Sequence, residues 1–236
     1  MPAQMDWRPI LDFWFHVDLS GADATAHWRM LEWWMRGGAN SELDRFSSIV
    51  GAARAGELEQ WRCEPLGRLS LILVLDQFPR GLYAGSPEAF SSDRDALQLA
   101  EEGFKNGHYD ALASAWEQFF FFLPLAHAEG PGHLERMERI LAASEQVLAE
   151  APEHLKPIWQ FSLSQAQANR EVIARFGRFP HRNAVLGRAS TPEEVAYIAR
   201  GDFVHQRPLP ANAHASAGSE FALFGASARS VAEPVA

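Results

Sequence analysis

A chain of 236 residues, 47% of them hydrophobic, carries enough apolar material for one large domain with a buried core. Its formal net charge of -9 lacks the broad basic footprint that phosphates require, which argues against general nucleic-acid binding. The single cysteine, Cys63, excludes an internal disulfide and a cysteine-only zinc site, and it fits a cytoplasmic location. Only 19 residues are Val, Ile or Thr against 37 Ala, and no stretch alternates apolar and polar over strand length, so the expected fold class is all-α. Asp6 and Asp12 interrupt the apolar N-terminal residues and no basic leader precedes them, unlike a secretory signal. The longest apolar runs, LSLILVL and FFFFLPL, fall short of the roughly 20 residues a membrane span needs, so no membrane partner is expected.

In chain order, residues 5–17 pack Trp7, Trp14 and four further apolar side chains into a first helix. Asp23 caps a second that stops at Gly37-Gly38. Six of the eight tryptophans precede residue 62, at spacings that suit core packing better than a stacking platform. A third helix is expected over 41–55, and a fourth in PLGRLSLILVLDQFPR, apolar almost all round as a helix enclosed by others reads. Ser86-Pro87-Glu88 signals a helix running to about Lys105, Asp110 a cap for the next, and Pro124 a bend. An amphipathic stripe spans 134–150, another helix runs from Pro157 to Gly177, and Thr191-Pro192-Glu193-Glu194 is a capping box. About nine helices result, paired as antiparallel hairpins. The domain is expected over 1–203, with an Ala/Ser/Gly/Pro-rich, disordered tail over 204–236.

Polar residues concentrate after three helix ends: LDQFPR, PLAHAE and RFGRFPHRN. The stretch 175–188 holds four arginines and no acid, leaving -13 for the remainder. If alternate helix ends meet, a pocket forms from Asp76, Arg80, His127, Glu129, Arg178, His181 and Arg182. Arginine forks bind carboxylates and phosphates bidentately, so Arg178, Arg182 and Arg80, with Arg175, Asn183 and Asp76 around them, are the candidate ligand-binding residues. The expected partner is a small anionic molecule or a peptide carboxylate. His181 and His127, with Glu129, are the candidate acid–base groups of an alternative hydrolase-like or lyase-like enzyme. A third reading makes the same arginines a structural ion network satisfying Asp76, Glu129 or Glu117. His127 and Glu129, two apart, match no strong metal motif and Arg182 repels a cation, so neither a metal nor a cofactor is expected.

The phrases LDQFPRGLYAGSPEAFSSD, FFFFLPLAHAE and RFGRFPHRNAVLGRASTPEEVAYI resemble the bacterial domain-of-unknown-function 924 family over roughly residues 8–202. The resemblance implies an all-helical fold similar to a right-handed tetratricopeptide-type superhelix and no established activity. The chain departs from the family pattern at Gly81 and Ala84, where Asn and Arg are usual, and at Asn169, where a histidine is usual.

Overall fold

The computed structural model describes residues 5–201 and 203–210. These residues form helices and turns, with no strand among them. The helices are α1 (Arg8–Trp14), α2 (Ala24–Met35), α3 (Ser47–Arg54), α4 (Pro65–Ile72), α5 (Phe78–Leu82), α6 (Asp93–Lys105), α7 (Ala115–His127), α8 (His133–Glu150), α9 (Lys156–Phe176) and α10 (Pro192–Arg200). A π-helical turn, Leu73–Gln77, joins α4 and α5 into one rod, which makes nine helices among the described residues. None of them is long and apolar enough to cross a membrane.

The rod is the axis of the core. Leu69, Ile72, Leu73, Val74 and Phe78 have no solvent exposure, because α1, α3, α6 and α7 surround it. Proline at 79 has no N–H to donate, and the chain accommodates it by widening the preceding turn, in which the Phe78 N–H reaches the Leu73 carbonyl. That wider turn carries Asp76 and Gln77 inward, where both are buried. The N-terminal tryptophans pack around the rod. Trp14 meets Phe120 edge-on at 5.3 Å and Phe78 at 5.7 Å.

Several boundaries differ from the sequence expectation. The third helix begins as a 3₁₀ turn, Asn40–Phe46, whose three-residue period places Leu43 and Phe46 together in the core before α3 continues. Ser86 caps only the short turn Pro87–Phe90, and α6 starts afresh at Asp93. Arg54 occupies the break, donating to Ser92 Oγ at 2.9 Å and to the Glu88 carbonyl at 2.8 Å. Ser114, not Asp110, caps α7, in a reciprocal capping box with Glu117. Pro124 lies inside α7, which runs on to His127.

Helices α8 and α9, joined by the short link 151–155, pack along their length as an antiparallel hairpin, and α7 packs on α8. The expected tail is partly structured at its start. Val204–Gln206 forms a 3₁₀ turn, Val204 is buried, and Gln165 Nε2 donates to its carbonyl at 2.9 Å. Residues 211–236, with Phe221 and Phe224, lie outside the described residues.

Candidate functional site

A cavity of about 620 Å³ opens between the C-terminal end of α2, α5, helices α7 to α9, and the turns Pro180–Arg182 and Val204–Gln206. Its polar wall comes from all three helix-end motifs: Gln77 and Arg80, His127, and His181 and Arg182. Three unlike segments therefore deliver polar side chains to one place: the π-helical turn ahead of Pro79, the end of α7 at the extended Ala128, and the turn Pro180–Arg182.

Asp76 has no solvent exposure and sits beneath this wall. His127 Nδ1 lies 2.8 and 2.9 Å from its two carboxylate oxygens, Gln77 Nε2 donates to it, and Arg80 Nη1 is 3.3 Å from Oδ1. Burial alone raises the Asp76 pKa, but Arg80 and His127 outweigh it and hold the carboxyl down at about 2. Burial, aided by Arg80, pushes His127 below its ordinary value despite the carboxylate. An ionised Asp76 beside a neutral imidazole fixes the tautomer: Nδ1–H donates to the carboxylate and Nε2 keeps its lone pair. No described residue takes that second nitrogen, and the ring lines the cavity.

Asp93 is the second buried carboxylate. It accepts from Arg80 Nη2 at 2.8 Å and from Arg182 Nη1 at 3.3 Å, and burial raises its pKa. Arg182 is 5% exposed, with its guanidinium 4.6 Å from the ring centres of both Phe90 and Phe179. Burial and the neighbouring Arg80 depress it to about 10, so it stays charged at neutral pH. Its Nη1 also donates to the His127 carbonyl at 2.9 Å. Its other edge has no acceptor: Nε is buried and unpartnered, and Nη2 meets none among the described residues. Two further buried atoms without a partner, Trp14 Nε1 and Gln165 Oε1, also belong to residues lining the cavity.

The remaining expected site residues lie behind this wall. Arg178 clamps Glu194 bidentately at 2.7 and 2.8 Å and donates to the Ala189 carbonyl. Glu129 accepts from the Phe179 N–H at 2.8 Å and pairs with Arg188, whose contacts pull its pKa below normal against the effect of burial. Asn183 donates to Ser190 Oγ at 2.9 Å and accepts from Arg188 Nε at 3.0 Å. Arg175 is exposed, 4.0 Å from Glu193. Glu117 serves its helix cap. Cys63 is exposed on the Glu59–Cys63 turn. Arg178, Glu129 and Asn183 shape the basic loop, whereas Arg80, His127, His181 and Arg182 face the cavity.

Sequence reasoning passed over Asp93, which reads as an ordinary acid in the first turn of α6. The acids that the sequence offered for these arginines besides Asp76 are engaged elsewhere, Glu129 by Arg188 and Glu117 by its helix cap, and Asp93 takes their place. Sequence reasoning also passed over His205, whose ring lies 4.6 Å from that of His181. Gly81, Ala84 and Asn169, the three departures from the family pattern, all line the cavity.

A family model for a bacterial protein of unknown function (DUF924) matches residues 10–202. A solved structure of a protein of unknown function, ATU0120 from Agrobacterium tumefaciens, is 31% identical, with a TM-score of 0.63 over 83% of this chain and 97% of that one. No curated protein matches the chain.

Proposed function

The chain belongs to the DUF924 family of bacterial proteins, a membership that assigns no activity, and from the cavity itself we propose that it binds a small anionic molecule at Arg182 and Arg80. The observation that carries this reading is the unpaired Nε–Nη2 edge of Arg182. That edge is the side of a guanidinium that accepts a carboxylate or phosphate through two parallel hydrogen bonds. Nη1 is already used by Asp93 and the His127 carbonyl, so the planar group is fixed in orientation before any ligand arrives. A compact cavity favours a small molecule over a long peptide groove.

Thermal melts with a panel of small carboxylates and phosphates test it. At least one anion raises the wild-type midpoint, and Arg182→Lys, which keeps a charge beside Asp93 but loses the fork, does not respond. A wild type indifferent to every anion, or a lysine variant that responds equally, contradicts the reading.

The Asp76–His127 pair supports a second reading, in which the cavity is a hydrolytic site. His127 Nε2 takes a proton from water as it adds to an ester carbonyl, then returns it to the departing alkoxide. Turnover of 4-nitrophenyl esters by the wild type, lost in His127→Gln while carboxylates still bind, is the expected result. Equal turnover by both proteins rules this chemistry out.

A further inference from the structure

The cavity has a direction, and it specifies more than an anion. Helices α7 and α9 both pack on α8, and each turns aromatic side chains into the cavity nearer its N-terminal end than its last polar lining residue. On α7 the lining residues run from Phe119 and Phe122 to His127; on α9 they run from Phe161 to Gln165 and Asn169. The aromatic ends coincide, since Phe119 lies 6.3 Å from Trp159 and Trp116 lies 5.3 Å from the same ring. The polar ends coincide as well, because α9 leads through Gly177 into the loop whose Arg182 donates to the His127 carbonyl.

We infer that the ligand is an amphipathic monocarboxylate, with its head on the free edge of Arg182 and an unbranched apolar body along α7 toward Phe119. The inference rests on the anion reading above and adds the body. From Phe119 to His127 is eight residues, about 12 Å of helix, which an extended octanoate fills when its carboxylate oxygens and the outer surface of its methyl group are counted. A cavity of about 620 Å³ far exceeds the needs of an anionic head alone, and most of its α7 wall beyond His127 is apolar. The charge count selects the head. Asp76 and Asp93 already match Arg80 and Arg182 one for one, so a carboxylate adds a single unmatched charge and a phosphate monoester close to two.

Titration calorimetry on the full chain tests this with acetate, butanoate, hexanoate, octanoate and dodecanoate, with 1-octanol and octyl phosphate as controls. Affinity should rise about 4-fold per added methylene up to about octanoate and then level off. Octanol should bind at least 10-fold more weakly than octanoate, and octyl phosphate more weakly than octanoate. Ser144→Leu, which fills the distal end, should move the preferred chain shorter by one or two methylenes. Acetate binding as tightly as octanoate overturns the apolar body and leaves the anion site standing. Octyl phosphate binding more tightly overturns the carboxylate head. If no member binds, the amphipathic ligand is overturned while the anion reading is decided by the wider panel above, and octanol equal to octanoate overturns the carboxylate head. Should the leucine variant fail to fold, the wild-type series still decides.

Discussion

At the scale of single residues, Arg182 combines two roles that compete for the same donors. It neutralises Asp93 and ties the basic loop to the end of α7 through the His127 carbonyl, yet half its hydrogen-bonding capacity is unused. Removing it in Arg182→Ala leaves Asp93 to Arg80 alone. Breaking a buried pair of this kind costs about 3 kcal/mol, at the low end because one cation remains. For a domain of this size that is a fall in melting midpoint of about 6–12 °C. A midpoint within 2 °C of wild type would mean that the pair contributes little. The histidines add a pH dependence of definite sign. Burial, with His205 and Arg182 nearby, holds His181 down at about 3, and burial holds His133 at about 4. Unfolded histidine takes a proton near 6.5. Their contribution is therefore complete above about pH 6.5 and is lost progressively as the pH falls toward 4. Thermal melts should show the midpoint dropping through that window, and His181→Phe should drop less. A midpoint that stays level from pH 7 to 4 contradicts the assignment.

Helices and turns show where sequence patterns carry information and where they lose it. The capping box at Thr191 and the apolar helix that begins at Pro65 were legible because a cap, a proline and an all-round apolar stretch are local properties, whereas its continuation through Pro79 to Leu82 was not. The break between Pro87–Phe90 and α6 was not, because it is held by Arg54, 34 and 38 residues away in sequence. The same division applies to the site. Proline-marked helix ends pointed to Arg80, His127 and Arg182, while Arg178 stood out equally strongly in sequence and is taken by Glu194. Only tertiary packing chooses which arginine of a basic loop faces a cavity. Close approach of elements is likewise invisible locally. A β-carbon at Gly67 would lie 2.4 Å from the Trp61 carbonyl oxygen, a backbone atom that a side-chain rotation cannot move. Gly67→Ala should therefore destabilise by about 1–3 kcal/mol, although alanine is the better helix former. Chemical denaturation checks this, and a variant as stable as wild type would show that α4 and the Glu59–Cys63 turn slide apart freely.

For the whole molecule, α1, α3, α6 and α7 gather around one rod whose π-helical turn is both a concession to Pro79 and the platform of the site. Asp76 lies in the core because that turn is wide, His127 reaches it because α7 runs three residues past Pro124, and Arg182 closes the wall because Gly177 ends α9. Membership of the family and likeness to the Agrobacterium tumefaciens structure extend over most of the chain, so its helical fold belongs to a shared architecture. Gly81, Ala84 and Asn169 line the wall of the cavity. The most direct measurement is the electron density in crystals of the wild-type chain grown with octanoate. The account predicts a carboxylate within about 2.7–3.0 Å of Arg182 Nε and Nη2, with the alkyl chain passing Phe122 toward Phe119. An empty cavity, or octanoate bound elsewhere on the protein, contradicts it.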